Sequence, residues 1–275
     1  MCNTRIDQTL ILDVFNESKK FFNGPRTTKE RCSYRSAKEN FGFQGLLQEN
    51  LNPNAPADIK STFTMRNILK NPPNSERWPS DTFKHVMQRF FEESLSFTHE
   101  IQQAMARHFN LDSSFFSQVH SGDAISLRLL HYPSINKREV ATGQLGAGSH
   151  TDYGFLTLLF QDDTAGLEVK NRAGEWTSVT PKSEHVTINS GDLLERWTNG
   201  RYPATEHRVV PVTSGVDRFS IALFIDPDPD TLITVLDACT SSKEPKKYQP
   251  ILAAEHLQEK LEASHKGRLK NKVVK

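Results

Sequence analysis

The sequence Ser-His-Thr-Asp-Tyr-Gly at residues 149–154 decides the fold, because it places an imidazole and a carboxylate two residues apart. Residues i and i+2 of a β-strand point to the same side of a sheet, so His150 and Asp152 can converge on one ion. A second histidine, His207, follows far downstream. Two imidazoles and one carboxylate are the protein's half of an octahedral iron(II) site, which leaves the opposite face of the metal open. We therefore predict that these three residues are metal ligands.

A zinc site and a phosphate loop fit the sequence around residues 143–154 less well than an iron site does. The same set of donors also holds catalytic zinc. Zinc enzymes of that kind usually carry His-Glu-x-x-His on a helix, and no such stretch occurs in this sequence. The glycine-rich run at residues 143–148 leads into a predicted strand and has no Lys-Ser/Thr ending, so it does not indicate a phosphate loop.

A second pair of polar residues has the same spacing, Arg218 and Ser220, in the stretch Arg-Phe-Ser-Ile-Ala-Leu-Phe at residues 218–224. The guanidinium group of arginine is a planar fork that binds a carboxylate in bidentate fashion. Because the rest of the stretch is apolar, we expect Arg218 to point inward, where an unpaired charge is very costly. The pair therefore predicts a buried site that binds the carboxylate of a ligand.

These residues resemble the iron(II)- and 2-oxoglutarate-dependent dioxygenases, in the branch that includes isopenicillin N synthase. The resemblance runs from about Ile6 to about Ser264, almost the whole chain. Besides the metal triad and Arg-x-Ser, it rests on segments with similar surroundings. They are a strand ending in Tyr-Pro at 127–133, the metal strand and the apolar strand after it at 150–161, the segment at 191–200 before the distal histidine, the strand at 218–227, and Tyr-Gln-Pro-Ile at 248–251.

The resemblance implies a fold that is mainly β with flanking helices, a double-stranded β-helix of the jelly-roll or cupin-like type. It implies an enzyme that hydroxylates or desaturates a small organic molecule and releases succinate and CO2. Iron(II), 2-oxoglutarate as co-substrate and dioxygen are implied with it. Arg218 and Ser220 would bind the distal carboxylate of 2-oxoglutarate, and Tyr132 would add its hydroxyl to the same group. No catalytic residue beyond the metal centre is expected, and Arg128 and Asn199 would support the site or the fold.

Two other functions stay open on the sequence. An oxidase like isopenicillin N synthase uses the same triad without 2-oxoglutarate, and its Arg-Ser pair binds the carboxylate of the substrate. A non-catalytic, truncated cupin-like binding protein is the other alternative. The complete ligand set speaks against it, since a decayed site is expected to lose a ligand.

Length and composition fit a single domain of 275 residues, 36% of them hydrophobic. The 34 basic and 33 acidic residues leave a net charge of +1, which argues against nucleic-acid and membrane-surface partners. We expect a small-molecule substrate and leave the oligomeric state open. Three scattered cysteines, Cys2, Cys32 and Cys239, have no metal or disulfide spacing, so we predict a cytoplasmic protein. No apolar run is long enough for a membrane span or a signal peptide.

Hydrophobic periodicity divides the single oxygenase domain, 1–275, into three parts. Residues 1–123 are predicted to be helical and loop-rich, 124–230 to be the jelly-roll core that carries the metal site, and 231–275 to be a C-terminal helix and a basic tail. In the first part we predict a helix from about Ile6 to a stop at residues 24–25, a loop-rich region at 27–79, and a long amphipathic helix capped by Asp81. The C-terminal helix is predicted around residues 253–263, and the tail at 265–272 is expected to be solvated.

Short β-type runs separated by turn residues fill the predicted core. They lie at residues 125–132, 155–161, 167–169, 176–179, 185–189, 208–212 and 219–225. Many short strands in one block are typical of a jelly roll. In the second run Phe155, Thr157 and Leu159 share one parity, and either that parity or the other faces the pocket.

The resemblance begins at the helix that follows the first strand in the family. We therefore expect the family's N-terminal strand and the helix before the central barrel to be missing, which leaves a barrel edge exposed or covered by a substitute. Exposed edges invite pairing with other chains. We accordingly expect a tendency to aggregate and a looser iron site.

Overall fold

The computed structural model describes residues 4–52, 54–182 and 184–260. The helices are α1 (Gln8–Phe22), α2 (Arg26–Arg31), α3 (Asp81–His108) and α4 (Asp192–Trp197), and residues 253–260 are also helical. The strands are β1 (Phe41–Gln44), β2 (Ser61–Arg66), β3 (Ser126–Tyr132), β4 (Ala147–His150), β5 (Leu156–Gln161), β6 (Leu167–Lys170), β7 (Trp176–Ser178), β8 (Val186–Ser190), β9 (His207–Val209), β10 (Arg218–Ile225), β11 (Leu232–Ile233) and β12 (Ile251–Leu252).

The strands form two main antiparallel sheets, as expected for a jelly roll. The larger sheet has the order β1-β2-β3-β10-β5-β8, and the smaller one has the order β4-β9-β6-β7. β11 and β12 form a separate two-stranded ladder. Most neighbours in these sheets are far apart in sequence, so the fold depends on long-range pairing. The predicted jelly-roll fold is confirmed.

The two faces of β10 belong to different environments. Phe219, Ile221 and Leu223 are part of the main hydrophobic core between the larger sheet and the helices. Residues of the opposite parity, from Arg218 onward, face the inside of the barrel, where Ala222 joins a small apolar cluster. This alternation follows from the pleat of the strand. It makes the inner face of β10 available for a site while the outer face holds the fold together.

The same alternation decides the parity of β5. Leu156, Leu158 and Phe160 pack into the main core, so Thr157 and Leu159 face the inside of the barrel. The sequence leaves this choice open because the strand is apolar on both faces. Only the position of the helices tells the two faces apart.

Helices α1 and α3 cover the outer face of the larger sheet. The apolar stripe predicted for α3 is confirmed, since Phe83, Met87 and Phe90 are completely buried, and Phe90 meets Phe160 of β5 edge to face at 5.2 Å between ring centroids. Each such side chain contributes roughly 1.5–3 kcal/mol through burial. The predicted cap is wrong by one residue. Ser80 is the N-cap, and its hydroxyl accepts a hydrogen bond from the Phe83 backbone N–H.

The prediction of a loop-rich region at residues 27–79 is wrong for helix α2 and for two strands. β1 and β2 lie in this region and extend the larger sheet next to β3. β2 has the alternation of a half-buried strand, with Phe63 and Met65 in the main core. Its other face carries Thr62 and Thr64, which are buried although they are polar. The sheet of the jelly roll therefore begins well before residue 124, the predicted start of the core.

The edges of the larger sheet are β1 and β8. The chain at residues 32–34 runs beside β1, where the Phe43 N–H donates to the Cys32 carbonyl and the Tyr34 N–H donates to the Phe43 carbonyl. This segment covers part of one edge. The expected aggregation and the looser iron site stay predictions.

The C-terminal helix is observed at residues 253–260, where its prediction is confirmed. The rest of that helix and the basic tail at 265–272 lie outside the described residues. Among the helices that the structure describes, none is long and apolar enough to cross a bilayer.

His120 provides a test of how the core responds to acid. Its Nδ1 bonds the Phe116 carbonyl at 2.6 Å, and its ring packs on Phe155 at 4.9 Å between centroids. Burial lowers the pKa of His120 from 6.5 to about 4. Between these values the unfolded state takes up a proton that the folded state does not, so folding stability falls as the pH drops from 6.5 to about 4.

We expect His120→Gln to remove about 2 kcal/mol of this acid-induced loss in the free energy of unfolding. Each unit of pKa shift contributes about 1.36 kcal/mol, and the expected value is less than the full shift because the ring is not fully enclosed. The measurement is urea unfolding of both proteins at several pH values from roughly 7 to 4.5, the range in which His120 distinguishes the two states. Parallel stability curves for the two proteins would contradict the assignment.

Candidate active site

The smaller sheet brings the two histidines together. His150 ends β4 and His207 begins β9, and the two residues are cross-strand partners. Their ring centroids lie 4.3 Å apart. Asp152 follows two residues after His150, and one ligand atom from each of the three residues lies within 4.8 Å of the others. The structure therefore gathers at one point the three side chains that the sequence singled out.

Backbone carbonyls orient both imidazoles. Nδ1 of His150 lies 2.7 Å from the Gly148 carbonyl oxygen, and Nδ1 of His207 lies 2.9 Å from the Thr205 carbonyl oxygen. A nitrogen beside a carbonyl acceptor carries the proton, so the Nε2 atoms of both rings keep their lone pairs. These Nε2 atoms lie 3.8 Å and 3.7 Å from Oδ1 of Asp152. The two rings thus present free lone pairs beside a carboxylate oxygen.

The surroundings of His150 keep it neutral. Burial first, and then the nearby His207 and Lys60, lower the pKa of His150 to about 4, and the Asp152 charge opposes them. A neutral imidazole at pH 7 is the form that binds a metal.

Asp152 is 7% exposed and is held by two donors. The Thr157 hydroxyl of β5 and the Asn189 side-chain amide of β8 both donate to its Oδ2, at 2.6 Å and 2.5 Å. Oδ2 is therefore occupied, and Oδ1 is the oxygen that faces the histidines. Sequence reasoning missed Asn189, although a polar residue within a predicted strand was the available signal.

Helix α4 anchors the loop that carries Asp152. The backbone N–H of Asp192 donates to the Asp152 carbonyl at 2.9 Å, and that of Leu193 donates to the Gly154 carbonyl at 3.0 Å. Gly191 lies so close to the Gly154 backbone that a Cβ there would overlap it. The position of the carboxylate is thus determined by the first turn of α4 as well as by the two sheets.

A buried cluster of charges lies on the other side of β4. The Lys60 ammonium, almost completely buried, bonds Asp58 at 2.7 Å, and Arg128 bonds Glu49 at 2.5 Å. Asp58 also accepts a hydrogen bond from the Gly148 N–H at 3.0 Å, which ties the cluster to β4. Burial tends to raise the pKa of Glu49, but Arg128 and Lys60 outweigh it and the pKa falls below its usual value. Apart from Arg128, sequence reasoning missed this cluster, because it lies in the region predicted as loops.

Arg218 is 1% exposed and lies on the inner face of β10. Its Nη1 donates to the Ser220 hydroxyl at 3.3 Å and its Nη2 donates to the Gln161 side-chain oxygen at 2.8 Å. Its Nε is buried without a hydrogen-bond partner, and it forms no ion pair with any carboxylate of the described residues. The Tyr132 ring, 3% exposed, lies 4.9 Å from the guanidinium carbon. A buried cation with spare donors is chemically suited to bind an anion.

The walls around Arg218 are apolar. The small inner cluster includes Leu130, Ala147, Leu167, Val209 and Ala222. Such walls exclude water and strengthen the attraction between Arg218 and an anion. Gln161 was not identified from the sequence, although it shares the inward parity of Thr157 and Leu159.

Asn199 has a structural role. Its side chain donates to the carbonyls of Cys239 and Pro245 at 3.2 Å and 3.1 Å and accepts a hydrogen bond from the Lys247 N–H at 2.9 Å. Asn199 therefore connects the end of α4 to the C-terminal segment.

Two family models match this chain. The model of the 2OG-Fe(II) oxygenase superfamily matches residues 124–227. A model described as "non-haem dioxygenase in morphine synthesis N-terminal" matches residues 1–87. The first of them includes the three candidate metal ligands and the Arg218–Ser220 pair.

Curated relatives and solved structures agree with this match. Proline hydroxylase buaE of Petromyces alliaceus is 32% identical over 273 residues, which are 92% of this chain and 84% of that protein. The 2-oxoglutarate-dependent dioxygenase citB of Monascus ruber is 32% identical over 254 residues, 84% of this chain and 75% of its own. The crystal structure of a full-length Neurospora crassa protein in complex with alpha-KG has a TM-score of 0.84 and 32% identity, covering 96% of this chain and 85% of that one.

The fold, the site and these matches define a non-haem oxygenase. The chain belongs to the 2OG-Fe(II) oxygenase superfamily. It is a 2-oxoglutarate-dependent dioxygenase that oxidises a small organic molecule, and its class requires iron(II), 2-oxoglutarate and dioxygen.

We expect Gly154→Ala to destabilise the protein. A Cβ at Gly154 would overlap the Asp226 carboxylate and lie 3.3 Å from the Ile225 carbonyl oxygen. Overpacking of this kind costs about 1–3 kcal/mol, which thermal melting detects. Gly45→Ala is the matched control, since its Cβ meets the Gln48 side chain at 3.5 Å, an ordinary contact distance. Equal melting temperatures for the two variants would show that the loop accommodates a methyl group.

Proposed function

We propose that His150, Asp152 and His207 bind iron(II) through the two Nε2 atoms and Oδ1 of the aspartate. The observation that carries this proposal is the orientation of these atoms. Both Nδ1 atoms are occupied by carbonyls and Oδ2 is occupied by two donors. One ligand atom per residue is left, and two imidazoles with one carboxylate on one face of a metal are the donor set of non-haem iron oxygenases.

We further propose that Arg218 and Ser220 bind the distal carboxylate of 2-oxoglutarate. The support is an almost fully buried guanidinium with an orphaned Nε and no carboxylate partner among the described residues. Gln161 orients one end of the fork through its side-chain oxygen. The Tyr132 ring packs beside the guanidinium, so its hydroxyl is available to the same carboxylate.

The division of work follows from these placements. Bound iron supplies the dioxygen chemistry that converts 2-oxoglutarate to succinate and CO2 and oxidises the substrate. Arg218 orients the co-substrate, and the apolar inner cluster excludes water from it. Thr157 and Asn189 keep Asp152 aimed at the histidines, and the carbonyls of Gly148 and Thr205 keep the two rings in the metal-binding tautomer.

The substrate is a small molecule, and we propose that it is neither a nucleic acid nor a membrane lipid. Crystal structures of the Neurospora crassa protein contain thymine and 5-formyluracil, so a protein of this fold accommodates small polar rings. The near-zero net charge of this chain gives no electrostatic attraction to a polyanion.

We also propose that the protein is cytoplasmic. The support is that Cys32 and Cys239 are free thiols buried in the fold. Burial raises the pKa of both thiols, which keeps them unreactive. Free, buried thiols of this kind are typical of proteins in a reducing compartment.

Anaerobic iron(II) titration tests the metal site. We expect the wild-type protein to bind one iron(II) and to develop a metal-to-ligand charge-transfer band when 2-oxoglutarate is added. His207→Ala removes one of three ligands and is expected to weaken iron binding by at least about tenfold. The matched control is His185→Ala, which removes an exposed histidine. Equal loss in both variants would contradict the assignment of His207.

Arg218→Ala tests the co-substrate site. Loss of a desolvated charge partner costs about 2–5 kcal/mol, so we expect 2-oxoglutarate binding to fall by a factor of about thirty or more while iron(II) binding stays close to that of wild type. The exposed Arg172→Ala serves as the control. Normal succinate production by Arg218→Ala would rule out this residue as the anchor. Dioxygen consumption by wild type without succinate would favour the oxidase alternative.

A further inference from the structure

Two oppositely charged side chains, Arg66 and Asp226, lie at the end of the barrel away from Arg218. Within the described residues they form no ion pair. Arg66 ends β2, and its Nε is buried without a hydrogen-bond partner. Asp226 follows β10 directly, and its carboxylate accepts no hydrogen bond within the described part of the chain. The two charges act on each other, yet they do not form an ion pair there. Neither residue has a role in binding iron or 2-oxoglutarate.

Strand register places Arg66 on the inner face of the larger sheet. Arg66 is opposite Ser126 of β3, Ser126 is opposite Phe224 of β10, and Phe224 is opposite Thr157 of β5. Side chains in one such row share a face, and Thr157 of this row bonds Asp152. Three strand spacings separate Arg66 from Thr157, about 14 Å between their backbones. Arg66 therefore shares the inner face of the larger sheet with Thr157, the residue that holds Asp152.

Asp226 lies on the same inner face, beside the loop that carries Asp152. It lies two residues after Phe224 and has the same parity. Its carboxylate packs against Gly154, which is two residues after Asp152 and has no room for a side chain there. Burial first, and then the charge of Asp152, raise the pKa of Asp226 to about 7, while Arg66 opposes this shift. The carboxylate therefore needs a cationic partner to be fully ionised at neutral pH. Because Gly154 has no side chain, the Asp226 carboxylate fits beside the loop that carries Asp152.

This pair is distant from the co-substrate anchor. Arg218 and Asp226 are eight residues apart on one extended segment, about 26 Å along the strand. The Phe224 ring lies between them on the inner face and is partly buried. One end of the barrel therefore has a cation for 2-oxoglutarate, and the other end has a cation, an anion and an aromatic wall for a different molecule.

We propose that Arg66 and Asp226 are specificity-determining residues that select a zwitterionic small substrate, with its carboxylate on Arg66 and its amine on Asp226. The inference rests on the function proposed above. Arg66 and Asp226 are both partly buried, and an unpaired charge that is partly removed from water is costly. A neutral molecule leaves both charges unpaired, and a singly charged one leaves one unpaired. A molecule of the amino-acid or imino-acid class pairs both, and its hydrocarbon part can pack on Phe224.

The test uses the wild-type holoenzyme with iron(II) and 2-oxoglutarate and measures substrate-stimulated succinate formation. The probes are free L-amino and L-imino acids, their methyl esters, their N-acetyl derivatives, and thymine as a neutral donor and acceptor. We expect free zwitterions to stimulate, and both modifications to lower kcat/KM by at least about tenfold. Succinate formation without added substrate, combined with no stimulation by any free zwitterion, overturns this inference and leaves the proposed function intact. Stimulation by thymine alone also overturns it.

Two variants assign the contacts. Arg66→Met is expected to reduce the preference for the free acid over its methyl ester to near unity, and Asp226→Asn is expected to do the same for the free amine over its N-acetyl form. Each preference is a ratio within one variant, so a loss of folded protein cancels. Arg66→Lys is expected to keep part of the preference, and Arg172→Met, an exposed control, all of it. Unchanged ratios in both Arg66→Met and Asp226→Asn overturn the assignment. If wild type forms no succinate and no iron–2-oxoglutarate band, the proposed function fails and this inference fails with it.

Discussion

The contact of Asp152 with the larger sheet is the constraint on which the site depends. Asp152 follows β4 of the smaller sheet, but Thr157 and Asn189 of the larger sheet hold its Oδ2. One carboxylate therefore connects the two halves of the barrel and directs its remaining oxygen to the histidines. The attachment of this loop to the first turn of α4 through Asp192 adds a third element. Because all three contacts are hydrogen bonds in a desolvated place, loss of one leaves a polar group unpaired.

The interior of this barrel differs from the core outside it. The main core between the larger sheet and the helices is built from apolar and aromatic side chains, which supply most of the burial free energy. The inside of the barrel contains buried polar and charged groups such as Lys60, Asp58 and Arg218. Such groups contribute little to stability even when they are paired. The jelly roll thus separates stability and function onto the two faces of the same strands.

Two of the buried cations inside the barrel are neutralised by neighbouring carboxylates. Lys60 is paired with Asp58, and Arg128 with Glu49, so these groups brace β4 and the neighbouring strands without attracting a ligand. Arg218 has only neutral partners among the described residues. This difference between a neutralised cation and an available one distinguishes a structural charge from a binding one, and burial alone does not reveal it.

Local patterns in the sequence determined much of the fold and the residue types of the site. The 3.6-residue period of α3 and the short β-type runs after residue 124 are properties of neighbouring residues, and so are the two pairs spaced i and i+2. Other features depended on distant contacts. The parity of β5, the role of Asn189 and the pairing of Lys60 with Asp58 follow from which elements lie opposite, which no local pattern encodes. The sequence by itself therefore determined the donors of the metal site, whereas only the tertiary structure decided which of their atoms are free, because hydrogen bonds from distant residues occupy the others.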